Sequence, residues 1–230
     1  MFKSKRIGVC TFCGTQGPVS DDHIPPKNLF PKPRPSNLIT VDACERCNEG
    51  FHLEDEYFRV VMALHRDLIG TSEMDRLRPT VLRGLQRSDA PALKRAIEAT
   101  FETIPLYDAD GNVVGEDDVF SAELNRLNSV VIKTTAGLYF KVFGERVDCS
   151  SYVGSQDISR LALNRSPLSE VYAALIAQTP AFEWPGIYSA RVLQFEPQYT
   201  VWRHLFYDRL EFLATTIPEA LWNGGKKDAV

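Results

Sequence analysis

The sequence predicts an α+β protein on three observations. Four of the five cysteines fall in two C-x2-C pairs, Cys10/Cys13 and Cys44/Cys47, near the start of the chain. Directly after them, Tyr57, Val60, Val61, Leu64 and Leu68 recur at helical spacing. Toward the other end, Tyr188, Ala190, Val192 and Phe195, then Trp202, Leu205, Tyr207, Leu210, Phe212 and Ala214, read as extended chain. The expected organisation is a metal-stapled module over residues 1–68 and an α+β accessory domain over 69–230.

The two cysteine pairs have the spacing of zinc knuckles. Four thiolates close a tetrahedral Zn2+ site and leave no position for water, so this ion is expected to be structural. The second pair starts 31 residues after the first ends, longer than a compact zinc ribbon needs. The insert must therefore be a folded excursion. Disulfides are the competing reading. The start Met-Phe-Lys-Ser-Lys-Arg lacks the apolar run of a secretory leader, and no apolar segment is long enough to cross a membrane. A cytoplasmic setting is expected, where paired C-x2-C is more often metal-bound than oxidised.

Inside the excursion stand Asp22 and His23, a hard oxygen ligand beside a base that titrates near neutrality. Alone, such a pair is also what a surface turn offers. Pro25 and Pro26 stiffen the chain after it. Lys27, Lys32 and Arg34 line a proline-rich loop suited to a phosphate backbone, or equally to an ordinary solvated loop. Asn37 leads a short apolar strand, and its amide can fix the segment that bears His23. Past the second knuckle come Asn48 and His52, four residues apart and on one face if a helix starts here, although Gly50 weakens that helix.

Residues 10–52 resemble the HNH endonuclease family, the zinc-knuckle branch of the ββα-metal nucleases. The pattern is met by Cys10, Cys13, Asp22, His23, Asn37, Cys44, Cys47 and Asn48. The resemblance covers about a fifth of the chain. It implies an N-terminal ββα-metal module and a phosphodiester hydrolase acting on nucleic acid, DNA in the first instance. It implies His23 as general base and Asn37 as the residue that orients the His23 loop. Asp22 would hold a catalytic divalent ion such as Mg2+, with Asn48 or His52 as partner ligand. Asn48 stands where the pattern also allows histidine. An amide is the poorer ligand, which gives His52 more weight. The alternative is a catalytically degenerate, zinc-stabilised module that binds nucleic acid or protein.

The remaining chain carries no comparable motif. Net charge is −4, so any nucleic-acid face must be local; residues 1–52 hold seven Lys/Arg against five acids. Residues 73–103 predict two short helices, with Arg76, Arg78, Arg83, Arg87, Lys94 and Arg95 on a solvated face or a backbone-tracking patch. Asp108-Ala-Asp-Gly-Asn112 predicts a hairpin turn. Residues 120–143 predict a core helix, and Ser166-Pro167 opens another that runs to about Ala177. Strands are expected over 188–199 and 201–216, turning near Glu196-Pro197-Gln198. Cys149, His65 and His204 are expected to be structural.

Overall fold

A computed structural model describes residues 6–86, 91–148, 152–158 and 169–224. Helices and antiparallel sheets are both present, as the α+β reading requires. Strands β1 (Arg6–Val9), β2 (Gln16–His23) and β3 (Thr40–Cys44) form one antiparallel sheet in that order. The β1–β2 turn is the first cysteine pair. It closes through Cys10 N–H to the Thr15 carbonyl (3.0 Å) and Gly14 N–H to the Cys10 carbonyl (2.9 Å). Gly14 has φ +74°, a backbone region that a side chain disfavours. The proline-rich excursion leaves β2 at His23 and re-enters at Thr40, its paired residue.

Helix α1 (Glu45–Leu64) starts straight off β3. Its first turns carry Cys47, Asn48 and His52, and Gly50 does not interrupt it. Its far half buries Tyr57, Phe58, Val60, Val61, Met62 and Ala63. Helices α2 (Ser72–Leu85) and α3 (Pro91–Glu98) follow. Three of their basic residues pair locally with acids, Arg76 with Glu73, Arg78 with Asp75 and Lys94 with Glu98, as on a solvated face, and Arg87 lies outside the described residues. Residues 101–103, expected as the end of a helix, instead begin β4 (Phe101–Tyr107), which pairs with β5 (Val113–Phe120). Thr103 is β-branched, and Pro105 two residues on excludes a helix interior. The turn at Asp108 is the expected hairpin: its carboxylate accepts from the Asp110 and Asn112 amides, and Gly111 takes φ +86°.

Helix α4 (Leu124–Phe143) is the expected core helix, ended by Gly144 at φ +74°. It lies between the two halves of the chain. On one side it meets α1; on the other it meets a five-stranded antiparallel sheet. That sheet has the order β6-β10-β9-β8-β7, from β6 (Tyr152–Asp157), β7 (Phe182–Trp184), β8 (Tyr188–Glu196), β9 (Tyr199–Phe206) and β10 (Leu210–Ile217). Its other face is covered by α5 (Ser169–Ala177) over Val201 and Leu213. A short helix α6 (Glu219–Gly224) ends the described chain. The Ser166-Pro167 signal and Cys149 lie outside the described residues. Among the described residues no helix is long and apolar enough to cross a membrane.

One further expectation meets a correction. The single strand over 201–216 is two, β9 and β10, joined by a tight turn at 207–209 in which Tyr207 and Asp208 take φ +51° and +56°. No glycine or proline marks it. Tyr207 tolerates the conformation because its hydroxyl donates to the Leu29 carbonyl (2.7 Å), 178 residues away, and its ring is buried. Buried side chains from both sides of residue 68 pack against one another. One cluster runs from Ile24, Leu29 and Phe58 to Trp184, Phe206 and Phe212. Phe58 lies 5.1 Å from Phe206, and Phe30 lies 5.5 Å from Trp184, centroid to centroid.

Candidate functional site

Cys10 and Cys13 come from the β1–β2 turn, Cys44 from the last position of β3 and Cys47 from the first turn of α1. Their sulfurs all lie within 4.8 Å of one another. The Cys13 and Cys44 Sγ atoms are 3.7 Å apart. A tetrahedron with bonds of about 2.3 Å has edges of about 3.8 Å, so this group can hold a metal ion. The hydrogen bond with Thr15 brings the Cys13 thiol down to about 6, while burial pushes the Cys47 thiol up. Among the described residues no other group of three or more His, Cys, Asp or Glu ligand atoms lies this close together.

Beside the cysteines, β2 and α1 form the walls of a pocket of about 200 Å³. Asp22 and His23 line it from the end of β2, and Lys27 from the excursion. Asn48 and His52 line it from α1, joined by Asp55. Offsets of four and three put these last three on one face of the helix. Asn48 Nδ2 donates to the Ser20 hydroxyl (2.9 Å), which leaves its Oδ1 as the remaining acceptor. Five of the predicted polar residues thus share one cavity.

Asn37, Lys32 and Arg34 do not line it. Asn37 Oδ1 accepts from the Trp184 indole N–H (3.1 Å), so this amide ties the excursion to the C-terminal sheet. The amide that ties the excursion to α1 is Asn28, whose Nδ2 donates to the Asp55 carbonyl (3.0 Å) and to Glu56 Oε1 (3.1 Å). Arg34 Nε folds back onto the Lys27 carbonyl (2.9 Å), and Arg76 takes the Lys32 carbonyl (3.1 Å). Of the three predicted phosphate-contacting cations, only Lys27 lies at the pocket.

A fourth cation, unforeseen from the sequence, lies behind the pocket wall and pairs with two of its lining acids. Lys133 of α4 is fully buried, and its Nζ lies 3.0 Å from Asp22 Oδ1 and 2.9 Å from Asp55 Oδ2. Helix α4 can come this close because Gly137, one turn on, has no side chain. A Cβ there would sit 2.6 Å from Ile24 Cδ1. Asp22 and Ile24 point the same way along extended chain, and Lys133 and Gly137 the same way along the helix, so the two registers match. Burial raises the Asp22 carboxyl above its ordinary value and takes Asp55 up to about 6, with Lys133 opposing in both cases. Asp22 Oδ2 and Asp55 Oδ1 are buried and have no hydrogen-bond partner.

Lys133 carried a faint signal, a lone cation within Val130-Val-Ile-Lys-Thr-Thr-Ala-Gly-Leu138. A buried lysine must be paired. Its partners could not be read, because Asp22 is 111 residues away. Asp55 was legible as the next position on the Asn48–His52 face. The chain matches no protein-family model, no curated protein and no solved structure.

Proposed function

We propose that the chain is a metal-dependent phosphodiesterase whose fold is secured by a four-thiolate zinc. Within that class we read it as an HNH-type endonuclease acting on DNA. The observation that carries the reading is the sharing of one pocket by Asp22, His23, Asn48 and His52, at the edge of a four-cysteine cluster. The zinc ligands are Cys10, Cys13, Cys44 and Cys47; the closed thiolate set keeps that ion out of the chemistry.

His23 takes the proton from the attacking water. Asp22 offers its free Oδ2 to the divalent ion, with His52 and the Asn48 Oδ1 on the facing helix as further donors. When bound, that ion neutralises charge on the phosphate and stabilises the leaving oxygen. The exposed Lys27 ammonium at the pocket contacts the phosphate backbone.

Purified protein with Mg2+ or Mn2+ is expected to nick supercoiled plasmid DNA. His23→Ala is expected to lower that rate by about 10²–10⁴, the usual worth of a general base, with zinc content and circular dichroism unchanged. Cleavage at the wild-type rate by His23→Ala sinks the assignment. Cys44→Ser is expected to lose the zinc and the order of the N-terminal sheet, because metal binding here is folding free energy.

One observation favours the second reading, a catalytically degenerate module that binds nucleic acid or protein. Lys133 already occupies Asp22 Oδ1. DNA binding with no cleavage under any divalent metal selects that reading.

A further inference from the structure

The polar cluster around Lys133 is incomplete in a specific way. Its ammonium holds one oxygen of Asp22 and one of Asp55, at 3.0 and 2.9 Å. The face of the Phe51 ring lies 5.0 Å from the same nitrogen. The other oxygen of each carboxylate, Asp22 Oδ2 and Asp55 Oδ1, is buried with nothing to accept from. A buried carboxylate oxygen left without a donor is costly, and in native proteins such atoms mark an ion or an ordered water. Two carboxylates bonded to one ammonium leave the directly bonded trio net negative, with Lys27 acting on Asp22 from the pocket lining. Both acids line the same pocket. Hard oxygens, excess negative charge and an adjoining cavity describe a divalent-cation site.

We propose that Asp55 is a second carboxylate ligand of the divalent ion, binding through Oδ1 alongside Asp22 Oδ2. This rests on the reading of the pocket as a divalent-ion site, and it replaces a one-carboxylate site with a two-carboxylate one. Lys133 keeps Asp22 Oδ1 and Asp55 Oδ2 engaged, which leaves Asp22 Oδ2 and Asp55 Oδ1 for the ion. A water molecule in the same place would satisfy the two oxygens without offsetting the negative charge of the bonded trio.

The test is Mn2+ binding by the full-length, zinc-loaded protein, followed through the electron paramagnetic resonance signal of free Mn2+. It needs no nuclease activity. One Mn2+ per chain is expected. Asp55→Asn, which keeps the shape and an acceptor for Lys133, is expected to weaken binding by at least about tenfold, as loss of a ligand charge does. Asp22→Asn is expected to do the same, whereas Glu56→Gln, on the same pocket wall, is expected to stay within about twofold. A Mn2+-soaked crystal of the unaltered protein supplies a test free of any folding defect: its anomalous peak should bond to both carboxylates. Wild-type affinity in Asp55→Asn, or a peak on Asp22 that leaves Asp55 untouched, overturns the proposal while the nuclease reading stands. Absence of Mn2+ binding by the wild type also overturns it, and plasmid cleavage with the His23→Ala control then judges the nuclease reading separately.

Discussion

Helix α4 buries three successive polar side chains, Lys133, Thr134 and Thr135, and the surroundings of the first and the last are built differently. Lys133 faces the N-terminal sheet and meets two carboxylates. Thr135 faces the C-terminal sheet and meets His204 (2.9 Å to Nε2), whose Nδ1 lies 2.7 Å from the Tyr188 hydroxyl. The Thr135 hydroxyl spends its proton on the Val131 carbonyl (2.8 Å), so it accepts from His204 Nε2–H. His204 Nδ1 then accepts from Tyr188. Every polar atom in that trio has a partner of the right kind, the group is neutral, and burial holds the His204 imidazole down at about 3. Around Lys133 the groups are charged, two oxygens are orphaned, and a pocket adjoins. A completed neutral network fixes a fold. We read the charged and incomplete one beside a cavity as the place of the proposed divalent ion.

The comparison breaks most readily at Lys133. Lys133→Ala leaves two buried carboxylates without their counter-charge and is expected to cost about 3–5 kcal/mol of stability in urea unfolding. A loss below about 1 kcal/mol would mean that water already solvates the cluster. Thr135→Val removes the acceptor of His204 Nε2–H without changing side-chain size much. The unsatisfied donor is expected to cost about 1–3 kcal/mol, with no change in divalent-ion affinity. A change in that affinity would join the two networks that the structure keeps apart.

Acid sharpens the contrast further. His204 titrates near 6.5 when unfolded and near 3 when folded, so the unfolded chain binds the extra proton. Its stabilisation is complete above pH 6.5 and is lost as pH falls below it, at about 1.4 kcal/mol per pH unit until pH 3. Asp55, raised from 3.8 to about 6, works in the opposite sense between those values. The informative quantity is therefore the difference in slope between wild type and His204→Gln over pH 6.5–4.5, from urea unfolding at each pH. Identical slopes would mean that the imidazole is not held neutral. The smallest effect is expected at Asn37, where loss of the Trp184 hydrogen bond should cost about 0.5–1.5 kcal/mol and leave plasmid cleavage unchanged. A large drop in cleavage by Asn37→Ala would return Asn37 to the orienting role that its resemblance implies.

The sequence alone determined the parts of this protein that depend on short spacing. C-x2-C pairs report a knuckle because the metal geometry is local, and four sulfurs do gather from the two pairs. Asn48 and His52 share a helix face because the offset of four fixes it. The α4 pattern survived because an apolar run of that length has few other solutions. Asp22 and His23 were legible by their chemistry at the mouth of the excursion.

Only the tertiary structure decided what rests on contacts between distant residues. Lys133 reaches Asp22 across 111 residues, through a gap that Gly137 leaves for Ile24. Asn28 and Asn37 look alike in sequence; which one meets α1 and which one meets Trp184 follows from how the excursion packs. The β9–β10 turn carries no glycine because Tyr207 is held by a carbonyl 178 residues away. Local spacing limits where a side chain can point, but its partner is set by how the halves of the chain pack together, and that is where a buried charge finds or lacks its counter-ion.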